Sequence, residues 1–123
     1  NPCIVSSVNN GSHILGLSKN IKYPKFYGVY TKSKLAKSIN SLSLIEIKKR
    51  NKYKELNLIR ANDKEIVKGF RLLAKEGLFL DGSSCAIAGS LKKIKHKNIC
   101  CVLSGSALNN LTEVQKIISK MKN

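Results

Sequence analysis

Glu76-Gly77-Leu78-Phe79-Leu80-Asp81-Gly82-Ser83-Ser84-Cys85-Ala86 leads, through a lysine-rich link, to Cys100-Cys101-Val102-Leu103-Ser104-Gly105-Ser106-Ala107-Leu108. The succession reads as helix end, short strand, Ser-rich turn, helix, buried strand and a Gly turn carrying hydroxyls. Gly77 stands where a left-handed helix C-cap belongs. Leu78-Phe79-Leu80 is a short apolar run bounded by turn residues, the pattern of a buried strand. Ser83 or Ser84 can cap a helix through about Lys93. Ile99 to Leu103 is a second apolar run, too short for a helix of its own.

Upstream, Cys3-Ile4-Val5 is a further buried-strand run, closed by the turn composition of Ser6 to Ser12. A helix is expected from about Ser12 to Lys19, and Pro24 breaks the chain after it. Phe26-Tyr27-Gly28-Val29-Tyr30 is rich in strand-favouring residues. Between residues 33 and 56 the signals are thin: a helical turn at Lys34 to Ile39, a strand at Leu44 to Ile47 and a polar helix from Lys48 to Leu56. Asn62 followed by Glu65 is a capping-box pattern, and Ile66, Phe70, Leu73 and Ala74 recur at helical spacing, so a helix is expected over 63–76. Thr112 to Gln115 repeats the capping pattern ahead of a terminal helix carrying Val114, Ile117, Ile118 and Met121 inward.

Strands alternating with helices, with the strands apolar throughout, predict an α/β fold: an open, mostly parallel sheet with helices on both faces. Such a sheet gathers its ligand groups at the carboxyl ends of its strands, and two of those ends carry serines here.

The 123 residues suit one domain or part of one, and a hydrophobic fraction of 42% suffices for a core. No apolar run reaches the roughly 18 residues of a membrane span, and no signal peptide is visible, so a cytoplasmic location is expected. The chain opens at Asn1 and already reads as a strand inside a domain by Val8, which suggests the C-terminal piece of a longer protein. The four cysteines, Cys3, Cys85, Cys100 and Cys101, sit in apolar company and read as small reduced core residues. With no CxxC pair and only His13 and His96, a zinc site is not expected.

The net charge of +16 is the main argument for a nucleic-acid partner. Against it, the lysines are spread over almost every segment. The runs Lys48-Lys49-Arg50 and Lys92 to Lys97 fall at connections or helix ends, where cations are favourable. A solvated face is therefore preferred, and nucleic acid is not the expected partner.

Three turns can carry chemistry. Val8-Asn9-Asn10-Gly11-Ser12-His13 links a strand end to a helix start, where backbone N–H groups and the helix dipole can hold a phosphate; the plainer alternative is an ordinary turn capped by Ser12. Asp81-Gly82-Ser83-Ser84 can border a bound ring, or simply cap a helix. In Ser104-Gly105-Ser106, the Ser104 hydroxyl follows a strand end, where it can bond a heteroaromatic nitrogen without protonating it. No catalytic triad is visible.

These turns, in this order, resemble the C-terminal half of pyridoxal-phosphate enzymes of the tryptophan synthase β group, fold type II, and threonine synthases most of all. Phe26-Tyr27-Gly28-Val29 resembles the strand after the group's Gly-Asn-rich phosphate loop. Lys75-Glu76-Gly77-Leu78-Phe79 resembles its Glu-Gly-Ile/Leu-Phe helix end. Asp81-Gly82-Ser83-Ser84-Cys85-Ala86 resembles its Glu-Pro-x-Ser-Ala turn, and Val102-Leu103-Ser104-Gly105-Ser106-Ala107-Leu108 its Val-Leu-Thr-Gly-x-Gly-Leu motif. The resemblance is strong over 62–109 and loose over 31–60.

The resemblance implies that the chain is the C-terminal part of the large cofactor-binding domain. Asn9, Asn10, Gly11, Ser12 and His13 would hold the phosphate of pyridoxal 5'-phosphate. Ser104 would meet the pyridine nitrogen, and Asp81 and Ser84 would support the site, Asp81 lying near a cation in some members of the group. The implied reaction is that of a lyase of threonine biosynthesis, O-phosphohomoserine and water giving threonine and phosphate. The chain departs from the group's pattern at Asn9 and Ser12, in glycine-like positions, and at Gly82, in place of the customary Pro. The Schiff-base lysine has no counterpart here, so no catalytic residue is assigned and the chain alone is expected to be inactive. The implied partners are the missing N-terminal portion of the same enzyme, a small amino-acid substrate and, in some members, a second copy. Alternatives are a threonine dehydratase-like or cysteine synthase-like enzyme, a basic nucleic-acid-binding module, or an inactive remnant.

Overall fold

The structure is a computed structural model that describes residues 2–8, 16–17, 25–39 and 56–121. The described residues form four strands, β1 (Cys3–Ser7), β2 (Phe26–Thr31), β3 (Leu56–Ala61) and β4 (Ile99–Val102). They form one sheet in the order β3-β2-β1-β4. Every pairing is parallel, with Ile4 opposite Phe26 and Cys100, and Val29 opposite Ile59. The α/β class and the parallel sheet therefore hold. The expectations for residues 9–13, 44–47 and 48–55 lie outside the described residues.

β1 is central and buried on both sides. Cys3 and Val5 join Val29 in the larger core, while Ile4 and Val8 join Phe26 in a second cluster that Leu17 covers in part. This two-residue alternation is the pleat dividing a strand between two faces. Thr31 closes the carboxyl end of the β2–β3 pair: its Oγ1 donates to the Ala61 carbonyl at 2.6 Å and accepts the Ser33 N–H.

The larger face carries three helices, α1 (Asp63–Lys75), α2 (Gly82–Gly89) and α3 (Leu111–Met121). α1 begins on the expected capping box: the Asn62 side chain accepts the Glu65 N–H and the Glu65 carboxylate accepts the Asn62 N–H. It ends at Gly77, whose φ of 77° is the left-handed conformation glycine adopts without strain. Ile66, Phe70 and Leu73 are buried along one stripe, and each such side chain contributes about 1.5–3 kcal/mol over exposure. All eight residues of α2 are buried, and α1 packs directly on it. A β-carbon at Gly69 would overlap the Cys85 carbonyl oxygen, so only glycine permits the two backbones to approach this closely.

Several elements differ from the sequence reading. β3 occupies residues that carried no strand expectation. It is an edge strand with Asn57 and Arg60 exposed, which breaks the apolar run that marks a buried one. Leu78-Phe79-Leu80 is not a buried strand: Leu78 and Phe79 are 45% and 61% exposed, and only Leu80 pairs, in an isolated antiparallel bridge to Ser106. α2 stops at Gly89 rather than running to Lys93, and Asp81, not a serine, is its cap. β4 is the other edge and only half-buried, so Cys100 is exposed instead of belonging to the core. α3 begins at Leu111, which places Thr112 within the helix and leaves no capping box there.

Candidate functional site

The carboxyl edge of the sheet is organised around β1. This strand connects forward to β2 on one side and pairs with β4 on the other, so the strand order reverses there. In open α/β sheets that reversal opens a crevice for ligands beyond the strand ends. Ser6 pairs with Val102, and Val8 and Ser104 each follow that pair by two residues. Val8 is still tied to β2, donating its N–H to the Val29 carbonyl at 2.9 Å. The turn expected to hold a phosphate, Asn9 to His13, follows at once and lies outside the described residues. Ser104 is exposed at the same edge.

Gly105 is fixed from both sides. Its carbonyl accepts the Asp81 N–H at 3.1 Å, and its own N–H donates to Ser84 Oγ at 3.4 Å. Beyond the Leu80–Ser106 bridge, the Ala107 N–H donates to the Phe79 carbonyl at 3.1 Å. The two serine-bearing turns are thus one antiparallel unit. A β-carbon at Gly105 would overlap the Asp81 carboxylate, which ties the residue type to the clamp.

Asp81 and Ser84 are buried, at 6% and 1% exposure. Asp81 Oδ1 accepts from Ser83 Oγ at 2.9 Å and from the Ser84 N–H at 3.1 Å, while Oδ2 accepts from the Asn110 side chain at 3.4 Å. A carboxylate engaged this way positions the start of α2 rather than facing a ligand. Both residues thus hold the Ser104-Gly105 turn from below.

Glu113 has a role the sequence reading missed. Its Oε1 accepts the Gly82 N–H and its Oε2 the Lys37 N–H, each at 3.1 Å. One carboxylate from α3 therefore joins the start of α2 to the 3-10 segment Lys34–Ile39. The local Thr-x-x-Gln pattern pointed elsewhere, and partners so distant in sequence leave no local signal.

Burial, then the negative charges of Asp81 and Glu113, push the Cys85 thiol up to about 12. It stays protonated at neutral pH and supplies no nucleophile. Burial likewise raises Cys3 and Cys101. Among the described residues, no three of His, Cys, Asp and Glu converge as metal ligands. The described remaining histidine, His96, lies 3.0 Å from the Asn98 carbonyl through Nδ1, in the approach to β4 and away from this edge. No described helix is long and apolar enough to cross a membrane.

The arrangement defines a parallel α/β sheet with a clamped hydroxyl turn at its point of strand-order reversal. No family model matches the chain, and no curated protein matches it.

Proposed function

We propose that the chain is part of a pyridoxal-phosphate enzyme of the tryptophan synthase β group, of the threonine synthase type, and supplies its cofactor-holding edge. The observation that carries this reading is the side-by-side exit of β1 and β4. Val8, which leads into the Asn9-Asn10-Gly11-Ser12-His13 segment, and Ser104 leave these strands side by side at the reversal point, where such sheets take their ligands.

The described donor set fits the cofactor at the pyridine nitrogen. Ser104 offers an exposed neutral hydroxyl, on a turn fixed by Asp81 and Ser84. A hydroxyl there satisfies the ring nitrogen without adding charge. The N–H groups of the Asn9 to His13 turn would hold the phosphate. When bound, pyridoxal phosphate supplies the electron sink for carbanion chemistry on an amino acid. The lysine that links the cofactor is not assigned within this chain and would come from another segment of the enzyme. The reaction proposed is conversion of O-phosphohomoserine and water to threonine and phosphate.

The test uses pyridoxine 5'-phosphate, which lacks the aldehyde that would react with the chain's many lysines. Saturable binding followed by the ring's fluorescence is expected, with unphosphorylated pyridoxine binding at least tenfold more weakly. Ser104→Ala should shift the emission of the bound ring. Equal binding of both compounds, or an unchanged spectrum in Ser104→Ala, would remove this reading of the edge.

A further inference from the structure

We propose that the outer face of α1 binds the phosphate backbone of a nucleic-acid duplex. Lys64, Lys68, Arg71 and Lys75 recur at i, i+4, i+7 and i+11 along α1, so they share one face. The opposite face buries Ile66, Phe70 and Leu73 in the core, which fixes the basic side outward.

Spread over a whole surface, lysines are compatible with mere solvation. On α1 they are segregated onto one face, where Glu65 acts on Lys68 as the weaker, opposing charge. The helix has two acidic residues, and both are engaged from outside: Asp63 by Lys120 at 3.2 Å and Glu65 by Lys93 at 2.8 Å. Glu76, at the C-cap, offsets only the Lys75 end.

Two further features concentrate the charge. Lys92, from the turn after α2, lies near Lys68, and its proximity is the first cause of a lowered Lys68 pKa, with desolvation second and Glu65 opposing. Two ammonium groups so placed are relieved by an anion that bridges them. A shallow depression beside α3 is lined by Lys64, Val67, Lys68, Arg71 and Lys120, with Asp63, paired to Lys120, the one acidic residue among them. Arg71 is held at this rim by donating to the Met121 carbonyl at 3.0 Å.

The stripe from Lys64 to Lys75 covers about 16 Å at the rise of an α-helix. Measured along the duplex axis, that length spans about five base-pair steps. A duplex fits better than a single strand because single strands are held by base stacking on exposed aromatics. The aromatic of α1, Phe70, is buried, and the exposed Phe79 lies beyond the helix end. Contact to phosphates alone makes the binding independent of sequence.

The experiment is fluorescence anisotropy of the intact chain with a labelled 20-base-pair DNA duplex from about 50 to 300 mM salt. Four phosphate contacts give a slope of log K against log salt near about −3.6. Lys64→Glu/Lys68→Glu should weaken binding at least tenfold and flatten the slope. Lys25→Glu/Lys97→Glu makes the same charge change at the amino ends of β2 and β4 and should weaken it less than threefold. All four positions lie on the surface, and circular dichroism checks that the variants remain folded. Equal weakening by the two pairs would make the binding a matter of net charge and overturn the proposal. So would no binding at 50 mM salt, tighter binding of the matching single strand, or tighter binding to phosphatidylserine vesicles. The proposal is independent of the cofactor reading, since pyridoxine 5'-phosphate binding should be unchanged in Lys64→Glu/Lys68→Glu.

Discussion

The Gly105 N–H donates to Ser84 Oγ while the Gly105 carbonyl accepts from Asp81, so the turn carrying Ser104 is gripped by the residues that start α2. Ser84→Ala leaves that N–H without its partner in a half-buried place, a loss of about 1–3 kcal/mol. Gly105→Ala should be worse, because the new methyl group meets the Asp81 carboxylate. Urea denaturation should rank stability as parent, Ser84→Ala, Gly105→Ala. If Gly105→Ala matched the parent, the clamp would not constrain this turn.

Glu113 should behave as a tether between elements. Glu113→Ala frees the N–H groups of Gly82 and Lys37 together. Gly82 is buried, so the expected loss is about 1–3 kcal/mol. Glu113→Gln keeps one oxygen acceptor and should recover roughly half of it. Thermal melts of the three proteins check the order, and an Ala variant as stable as the parent would dismiss the tether.

What could be read from sequence follows the range of the interactions. α1 was legible because its cap, stripe and terminal Gly77 are all local, and β1 and β2 because apolar strand residues are contiguous there. β3 was not, since Asn57 and Arg60 face outward on an edge. Apolarity at Leu78-Phe79-Leu80 misled because two of those side chains are exposed. At the candidate site, Asp81 and Ser84 were legible as residues of interest from capping chemistry. Their joint action on Gly105 spans more than twenty residues and depends on the Leu80–Ser106 bridge. Likewise the spacing of the α1 cations is in the sequence, whereas the pairing of Asp63 and Glu65 with distant lysines is tertiary.

Asp63 makes a pH-dependent contribution. A hydrogen bond from Ser33, opposed by partial burial and aided by Lys120, lowers its pKa below the ordinary carboxylate value. A lowered folded-state pKa means the stabilisation is present above the unfolded value and is lost as pH falls through the folded one. The side chain is half exposed, so the effect is small. The stability difference between parent and Asp63→Asn should be present at pH 7 and shrink toward pH 3. A constant difference across that range would remove the charge from the explanation.

Ser90 Oγ is buried and has no hydrogen-bond partner among the described residues. An unpaired buried hydroxyl is a desolvation loss, so Ser90→Ala should be neutral or stabilising by up to about 1 kcal/mol. A clearly destabilised variant in urea titration would mean that the hydroxyl has a partner, such as an ordered water.

The cysteines should separate by exposure. Cys100 is exposed on the outer edge of β4, Cys101 is half-buried, and Cys3 and Cys85 are enclosed. Thiolate is the reactive form, and Cys85, pushed up to about 12, carries almost none at pH 8. Titration of the folded chain with a chromogenic disulfide at pH 8 should give one fast equivalent, lost in Cys100→Ser. Cys3 and Cys85 should react only on addition of denaturant. The rate of that late phase then reports opening of the packed α1–α2 pair, because Cys85 lies beneath Gly69 at their closest approach. Gly69→Ala, which forces the helices apart, should accelerate Cys85 modification without changing the Cys100 rate. Equal acceleration of both would indicate global unfolding instead of separation of the two helices.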